Sequence, residues 1–215
     1  LYGGKPELKG LKRLEEGRDM DEWYLREWAG VDPANGSPLW YTTDENGKRT
    51  TTDSYNKADR VYCGSAAPKF TGGWMNSFSY KGFTLTANFD FVYGNLLYNQ
   101  SRELLDSDGA YADYNSMKLK SGWKRWEKEG DIATHPKAIN GGNKNSNKSS
   151  SRYLEKGNYF SLRNLSLGYS IPEKLCGKLG LQRVNVSCSA DNLFTLTPFS
   201  GVSPQLSDSS TDGYA

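Results

Sequence analysis

The sequence predicts an all-β fold whose antiparallel strands belong to a transmembrane β-barrel with long extracellular loops. First, apolar and polar residues alternate in strand-length segments such as FTLTANFDFVY at 83–93. Second, the predicted strands are joined by two, then about sixty, then about ten residues, and outer-membrane barrels alternate short turns with long loops. Third, aromatic residues lie near the predicted strand ends, as they do at membrane interfaces.

Alternation by itself leaves a second architecture open. A soluble extracellular β-sandwich also buries one face of each sheet and exposes the other, and it could bind carbohydrate through exposed aromatic side chains. The loop lengths and the aromatic positions favour the barrel. The strand length of about 9–11 residues also matches a tilted membrane crossing.

The composition argues against several other classes of protein. A formal net charge of +2 over 215 residues lacks the concentrated basic stripe of a nucleic-acid binder. No apolar run approaches the roughly 18 residues of a membrane helix. Cys63, Cys176 and Cys188 show no CxxC spacing, so we expect small apolar side chains and neither a zinc site nor a disulfide framework.

Residues 1–70 are predicted to form barrel strands and an extracellular loop, although no structure is assigned to the first 22. VDPANGSP and DENGK are turn signals, and Asn46-Gly47 supplies the positive φ of a tight hairpin turn. Asp44, Asn46 and Asp53 could be imagined as a calcium loop. The remaining EF-hand ligands are absent, which favours a plain turn.

Residues 71–95 form the clearest unit, a β-hairpin of the barrel wall. Two strands, about 72–80 and 83–94, flank the two-residue turn Lys81-Gly82. A slip of one residue would move one apolar stripe to the opposite face. The register therefore predicts three cross-strand pairs: Tyr80 with Phe83, Phe78 with Leu85, and Trp74 with Phe89.

Residues 96–157 are predicted to form a long extracellular loop. A short helix is expected around DYNSMKLKSGWKRWEKEG at 113–130, with its lysines and Arg125 on a solvated face. The low-complexity segment INGGNKNSNKSSS at 139–151 is expected to be mobile.

Residues 158–215 are predicted to form a barrel hairpin and a following loop, with the final strand of the barrel missing. The apolar residues of NYFSLRNLSLGYSIP change parity, which predicts a bulge near Arg163-Asn164. EKLCGKLGLQ is a connector with one possible helical turn, and RVNVSCSADNLFTL at 183–196 is the second strand. The tail from Thr197 has a loop-like composition.

Several stretches, taken in order, resemble one known family. Over about residues 22–206 the sequence is similar to the C-terminal barrel region of SusC/RagA-type TonB-dependent transporters of Bacteroidetes. The pair YFSLRNLSLGYSIP and ADNLFT is quite specific, whereas AGVDP alone would be weak. The other matching stretches are YLREWAGVDPANGSPLWY, PKFTGGWMNSFSYKGFTLTANFDFVYGN and WKRWEKEGDIATHP.

The resemblance implies a cell outer-membrane location and a plugged barrel of about 22 strands. It implies import of oligosaccharides or peptides energised through TonB, with a SusD-like surface lipoprotein as partner and outer-membrane lipid around the wall. It implies neither an enzyme nor a cofactor. The plug and the TonB box are absent from this sequence, so we expect the remaining strands to come from the rest of a longer barrel.

The residues themselves indicate no catalytic or metal site. The lone histidine, His135, precedes a proline and is expected to be solvated. No GxSxG motif, paired carboxylates or phosphate-binding glycine loop stands out.

Two groups of residues are candidates for contact with substrate or a lid. Asn88, Asp90, Asn185 and Asp191 are expected to face the barrel lumen, where they could bind substrate or simply be wet wall residues. Trp123 and Trp126, three positions apart, could stack on a sugar ring or anchor the loop to its neighbours.

Overall fold

The structure, a computed structural model, describes residues 4–111, 113–114, 116–178 and 180–205. Strands dominate these residues, and the two α-helices are short: α1 (Gln100–Leu105) and α2 (Glu173–Lys178). The strands are β1 (Glu7–Lys9), β2 (Lys12–Leu14), β3 (Glu22–Arg26), β4 (Trp28–Val31), β5 (Pro38–Thr43), β6 (Arg49–Thr52), β7 (Arg60–Ser65), β8 (Phe70–Tyr80), β9 (Phe83–Tyr93), β10 (Leu96–Tyr98), β11 (Leu154–Lys156), β12 (Tyr159–Ser170) and β13 (Asn185–Leu196).

The chain divides into two compact units. The first, which we call the core unit, comprises the described residues of Leu1–Ala67, Leu96–Glu155 and Ser200–Ala215. The second, the sheet unit, comprises those of Pro68–Asn95 and Lys156–Phe199. Each unit is therefore assembled from segments that are distant in the sequence.

The sheet unit is one antiparallel sheet of four strands in the order β13-β12-β9-β8. Its hairpin β8–β9 has the predicted register, with the pairs Tyr80–Phe83, Phe78–Leu85 and Trp74–Phe89. The turn residues Lys81 and Gly82 have φ values of 45° and 87°, as a two-residue primed turn requires. The predicted hairpin, its turn and its pairing are thus confirmed.

A bulge in β12 keeps the apolar residues of this strand on one face. The register against both β9 and β13 shifts between Leu162 and Asn164, which confirms the bulge predicted at Arg163-Asn164. In β13 the neighbouring Asn192 has a φ of 53°, an irregularity that the alternation pattern did not predict. The two irregularities lie opposite each other, between the pairs Leu162–Phe194 and Asn164–Asp191.

The apolar face of the sheet unit is exposed. Its side chains have exposed fractions of 62% for Trp74, 50% for Leu167 and 59% for Val186. A soluble β-sandwich would bury these side chains against a second sheet. The face belongs instead to the barrel architecture, and the sheet is a segment of a barrel wall.

The core unit contains two clusters of buried apolar residues. One cluster contains Trp23, Leu25, Tyr98 and Tyr153, and a second contains Trp40, Tyr55 and Ala58. These residues come from β3, β5, β10 and the segments around them. The strands of the core unit form three small sheets: β1-β2-β3-β7, β4-β5-β6 and β10-β11.

The helix predicted at 113–130 is wrong. The described residues of this segment form turns and extended backbone, and the helix of the region is α1 at Gln100–Leu105. Backbone groups of the segment 113–130 bond to distant partners instead: the Met117 N–H donates to Leu105 O, and the Gly130 N–H donates to Pro33 O. The basic residues of the segment therefore share no helix face.

Three other expectations concern the ends and the connector. The helical turn in EKLCGKLGLQ is confirmed as α2, and the first 22 residues contain the unpredicted hairpin β1–β2. The predicted tail loop lies outside the described residues from position 206 onward. Within the described part of the chain, no helix has the length and apolarity to cross a membrane.

Candidate functional site

Polar and charged side chains are concentrated at two places, one in each unit. In the sheet unit it lies on the polar face, around Asp90 and Asn164. In the core unit it is a buried group that we call the charged cluster. The charged cluster consists of Arg102, Asp106, Asp108, Arg125, His135, Arg152 and Glu155.

Asp90 is held by an ion pair on the polar face. Arg163 Nε lies 2.8 Å from Asp90 Oδ1, and one terminal nitrogen lies 3.2 Å from Oδ2. The Tyr159 hydroxyl donates to the same Oδ2 over 3.0 Å. A bidentate guanidinium–carboxylate pair fixes both side chains, so Asp90 is a positioned wall group whose two oxygens both accept hydrogen bonds.

Asn88 and Asp191 lie beside the same bulge. Asn164 pairs with Asn88 on one side and with Asp191 on the other, and its Nδ2 donates to Asp191 Oδ1 over 2.7 Å. The buried Oδ1 of Asn88 accepts no hydrogen bond from the described residues. The three candidates Asn88, Asp90 and Asp191 are thus brought together, while their contact with substrate stays a prediction.

The charged cluster is built around two buried aspartates. Arg102 on α1 lies 2.9 Å from Asp106, one helical turn later. Arg125 lies 2.7 Å from Asp108 Oδ1, and Arg152 binds both oxygens of Asp108. Both aspartates are only 2% exposed, so water contributes little to their solvation.

Formal charges balance within the charged cluster. Arg102, Arg125 and Arg152 oppose Asp106, Asp108 and Glu155, whose Oε1 lies 3.0 Å from Arg102. A buried charge is costly unless it is paired and hydrogen-bonded. The pairing therefore allows the segments that carry these residues to pack together without a large apolar core.

His135 is buried, which corrects the expectation that it is solvated. It is 2% exposed, and its Nε2 lies 3.0 Å from Asp106 Oδ2. Its Nδ1 lies 2.8 Å from the Thr134 hydroxyl. The backbone at His135 is held by two hydrogen bonds, because the N–H groups of both Thr134 and His135 donate to Lys124 O.

The segment 139–151 also packs into the core unit, which corrects the expectation of a mobile linker. Ser146 is fully buried; its hydroxyl donates to Asp108 over 2.6 Å, and its carbonyl accepts from Arg152. Asn143 donates to the carbonyls of Gly36 and Lys137. Low complexity gave a misleading signal here, since small polar side chains fit well between buried charged groups.

The two candidate tryptophans lie on irregular backbone and contact other parts of the core unit. Trp126 is 8% exposed, and its Nε1 donates to Pro33 O over 2.9 Å. Trp123 lies between the Arg102 guanidinium, 4.5 Å from its ring centroid, and the His135 ring. These contacts agree with the anchoring interpretation, and a contact of either tryptophan with ligand stays a prediction.

A pocket that the sequence did not predict opens beside the charged cluster. Its volume is 270 Å³, and the rings of Tyr111 and Tyr114 lie 5.5 Å apart at its wall. The wall combines apolar side chains with polar groups such as Ser107, Asp108 and Arg125, so it offers both kinds of contact to a ligand. The lining that matters here is Leu104, Leu105, Tyr111, Tyr114, Met117 and Arg125.

The described residues contain no group of three or more His, Cys, Asp or Glu side chains placed to hold a metal ion. Asp44 Oδ1 instead accepts from the N–H groups of Asn46 and Lys48, and Asp53 pairs with Lys144. The plain turn at this place is confirmed. The three cysteines are free thiols, with Cys63 half-buried, Cys176 buried and Cys188 exposed.

Comparison with known proteins identifies relatives of this chain. No protein-family model matches the sequence. The chain is 30% identical over 210 residues to TonB-dependent receptor P3 of Formosa agariphila, covering 89% of this chain and 19% of that protein. It is 32% identical over 151 residues to TonB-dependent receptor P39 of the same organism, covering 69% and 14%. The chain thus spans about a fifth of the length of the first relative.

Solved structures agree with the sequence relatives. The RagAB peptide importer in its 'closed-closed' state matches with a TM-score of 0.75 at 25% identity, over 94% of this chain and 22% of that one. The 'open-open' state gives a TM-score of 0.76 at 26% identity, with the same coverage. Fold and sequence therefore point to the same class of protein.

Replacing Arg152 by Met should strongly destabilise the core unit. Asp108 and Asp106 would lose a buried partner, and breaking a buried ion pair costs about 3–5 kcal/mol. Arg49→Met is the matched control, because the Arg49–Glu27 pair is 60% and 33% exposed and such pairs contribute about 0–1 kcal/mol. Denaturant unfolding followed by tryptophan fluorescence measures both; equal losses would contradict the cluster's role.

Acid should weaken the core unit through Asp106. Burial raises the pKa of this carboxyl, but the hydrogen bond from His135 and the charges of Arg152 and Arg102 outweigh it, so the pKa is lowered below 3.8. A lowered pKa stabilises the folded state above 3.8 and loses that contribution as the pH falls through the folded value. The denaturation midpoint should fall below this pH, and less steeply in Asp106→Asn; identical pH profiles would contradict the assignment.

Proposed function

We propose, on the premise that this chain is a homologue of the TonB-dependent receptors, that it supplies wall strands and extracellular segments to an outer-membrane nutrient importer. The exposed apolar face of the sheet unit is the observation that carries this proposal. The soluble carbohydrate-binding alternative is not favoured, because the relatives are receptors and this face is not covered as a sandwich requires.

The apolar face supports contact with acyl chains. Its side chains form rows across β8, β9, β12 and β13, since pairs such as Leu85–Leu167 and Leu167–Cys188 lie directly opposite each other. Soluble monomers rarely expose a contiguous apolar patch of more than a few hundred Å². In a bilayer the same face lies in its preferred solvent, and strand pairing satisfies the backbone groups.

The edges of the sheet support a place within a larger wall. In the described sheet, β8 and β13 each have a neighbour on one side only. Unpaired backbone N–H and C=O groups are very costly in hydrocarbon. Neighbouring strands of the same receptor therefore pair with these two edges.

The polar face is the lumen wall in this proposal. The Arg163–Asp90 pair and the Asn164–Asp191 bond hold their side chains in fixed positions. Water or plug residues would solvate them in the lumen. Asn88, Asp90 and Asp191 are the proposed substrate contacts on this face; Asn88 Oδ1 is buried and has no partner among the described residues, so contact with it requires neighbouring side chains to move.

Substrate and partners follow from the relatives. RagAB is a peptide importer. Peptides are therefore the proposed substrates, and oligosaccharides are the alternative. The core-unit pocket presents polar groups beside the aliphatic side chains of Leu104, Leu105 and Met117, a mixture that suits a peptide, whose backbone is polar and whose side chains can be apolar. A SusD-like lipoprotein is the proposed partner, TonB supplies energy through parts outside this chain, and the chain itself performs no chemistry.

The lipid-facing assignment is tested by arginine substitution on the two faces. In the protein that carries this chain, Leu85→Arg and Leu167→Arg should each destabilise the inserted barrel, by less than the roughly 2–4 kcal/mol that an arginine costs at the bilayer midplane, because both positions lie near the turn end of the sheet. Thr86→Arg and Ser166→Arg are matched controls, since they lie one residue away on the polar face. The measurement is the amount of heat-modifiable protein in the outer-membrane fraction.

Only the apolar-face variants should lose assembled protein. If all four variants assemble equally well, neither face contacts lipid and the proposed function is wrong. If the polar-face variants are the ones that fail, the two faces have been assigned in reverse.

The pocket assignment is tested by transport. The double variant Tyr111→Ala, Tyr114→Ala should lower uptake of labelled peptides with apolar side chains while leaving the receptor level in the membrane unchanged. Ile132→Ala is the control, because Ile132 is 89% exposed and does not line the pocket. Unchanged peptide uptake in the double variant would remove the pocket from the substrate path.

A further inference from the structure

An apolar cleft lies on the sheet unit at the end of the sheet where β9 stops and β12 starts. Its volume is 480 Å³. The opposite end of the sheet carries the two-residue turn Lys81-Gly82, so the cleft lies at the end with the long connection. The side chains that shape it are Phe70, Phe91, Tyr93, Phe160, Leu196 and Pro198.

A glycine in β8 creates the space for this cleft. Gly72 lies directly opposite Phe91, and a Cβ at Gly72 would lie only 2.6 Å from Cζ of the Phe91 ring. The ring therefore lies over the bare backbone of Gly72, on the β8 side. On the β12 side Phe160 stacks on Phe89, with ring centroids 5.4 Å apart, and the cleft is the gap left between the two displaced rings.

Several polar groups in the cleft wall are engaged in hydrogen bonds. Asn158 Oδ1 accepts from the Gly94 N–H over 2.7 Å, and the Thr197 hydroxyl donates to Asn158 O over 2.8 Å. The Tyr159 hydroxyl donates to Asp90. Most of the surface that remains for a ligand is composed of aromatic rings and aliphatic carbon.

We propose that this cleft holds an acyl chain of a membrane lipid from the leaflet at the long-loop end. The assignment rests on the proposed function, because the cleft is continuous with the apolar face that contacts the bilayer. A sugar or a peptide backbone would enter with many polar groups, and the mostly apolar wall offers few partners for them. Dry apolar cavities of about 150 Å³ already bind small hydrocarbons, and this cleft is larger and open to the bilayer.

Aromatic residues at this level of the sheet support the same occupant. Phe70 stacks on Tyr93 with ring centroids 5.1 Å apart, and such rings are enriched at the interface of a membrane. The packed pair forms a firm wall on the β8 side. A flexible chain fits between this wall and Leu196 without displacing any hydrogen-bonded group.

The test uses a photoactivatable lipid. The protein that carries this chain is reconstituted in phosphatidylcholine vesicles doped with a phosphatidylcholine that bears a diazirine in its acyl chain, and the crosslinked residues are mapped by mass spectrometry. Labelling at Phe160 and Leu196 should exceed labelling at Leu167 and Val186, which lie on the same apolar face outside the cleft.

Gly72→Ala should abolish this excess. The added methyl group displaces the Phe91 ring toward the cleft and leaves the chemistry of the face unchanged. Gly73→Ala is the matched control, because Gly73 pairs with Asp90 on the polar face and its Cβ would make a contact of 3.3 Å with Phe89 O. The excess should persist in this control.

The outcomes separate this proposal from the proposed function. Uniform labelling along the apolar face, or an excess that survives Gly72→Ala, overturns the acyl-chain site and leaves the lipid-facing wall intact. No labelling at any of the four positions contradicts the lipid-facing wall itself. If Gly72→Ala does not assemble, the comparison of the four positions in the unsubstituted protein still decides the question.

Discussion

The register of β9 against its two neighbours is the constraint on which the sheet unit depends. The pairs Trp74–Phe89, Phe78–Leu85 and Tyr80–Phe83 place apolar side chains beside each other on one face, so this face is predominantly apolar along the strands. A shift of one residue would put the side chains of a whole strand on the wrong face. The two positive φ values at Lys81 and Gly82 set this register locally, because a two-residue turn fixes which residues of the two strands pair.

The bulge at Arg163 solves a problem that register alone creates. The apolar residues on either side of it differ in parity, so a regular strand would send Phe160 and Leu162 to the polar side. The extra residue corrects the parity and leaves a long side chain to be placed. The Arg163 guanidinium binds Asp90, so the bulge places a fixed ion pair on the polar face of the sheet.

The core unit is stabilised differently, by pairing of buried charges beside small aromatic clusters. Arg102, Arg152, Asp106 and Asp108 are each at most 7% exposed, and each needs the others because an unpaired charge at this depth is strongly destabilising. Such a cluster fixes distant segments in one arrangement. The same segments present the pocket beside Tyr111 and Tyr114, so charge pairing and a positioned binding surface belong together.

The hairpin, its turn, the bulge and the two-faced strands are all predictable from the amino-acid order, because each depends on neighbours within a few residues or on a period of two. The likeness to the receptors of which this chain is a homologue is visible in the sequence as well. The packing of residues 96–157, in contrast, emerges only in the folded chain. The sequence around His135, Ser146 and Arg152 is typical of a polar loop. These side chains are nevertheless buried, because they bind partners such as Asp106 and Asp108. No local pattern encodes a contact between segments that far apart, whereas alternation encodes a strand face directly.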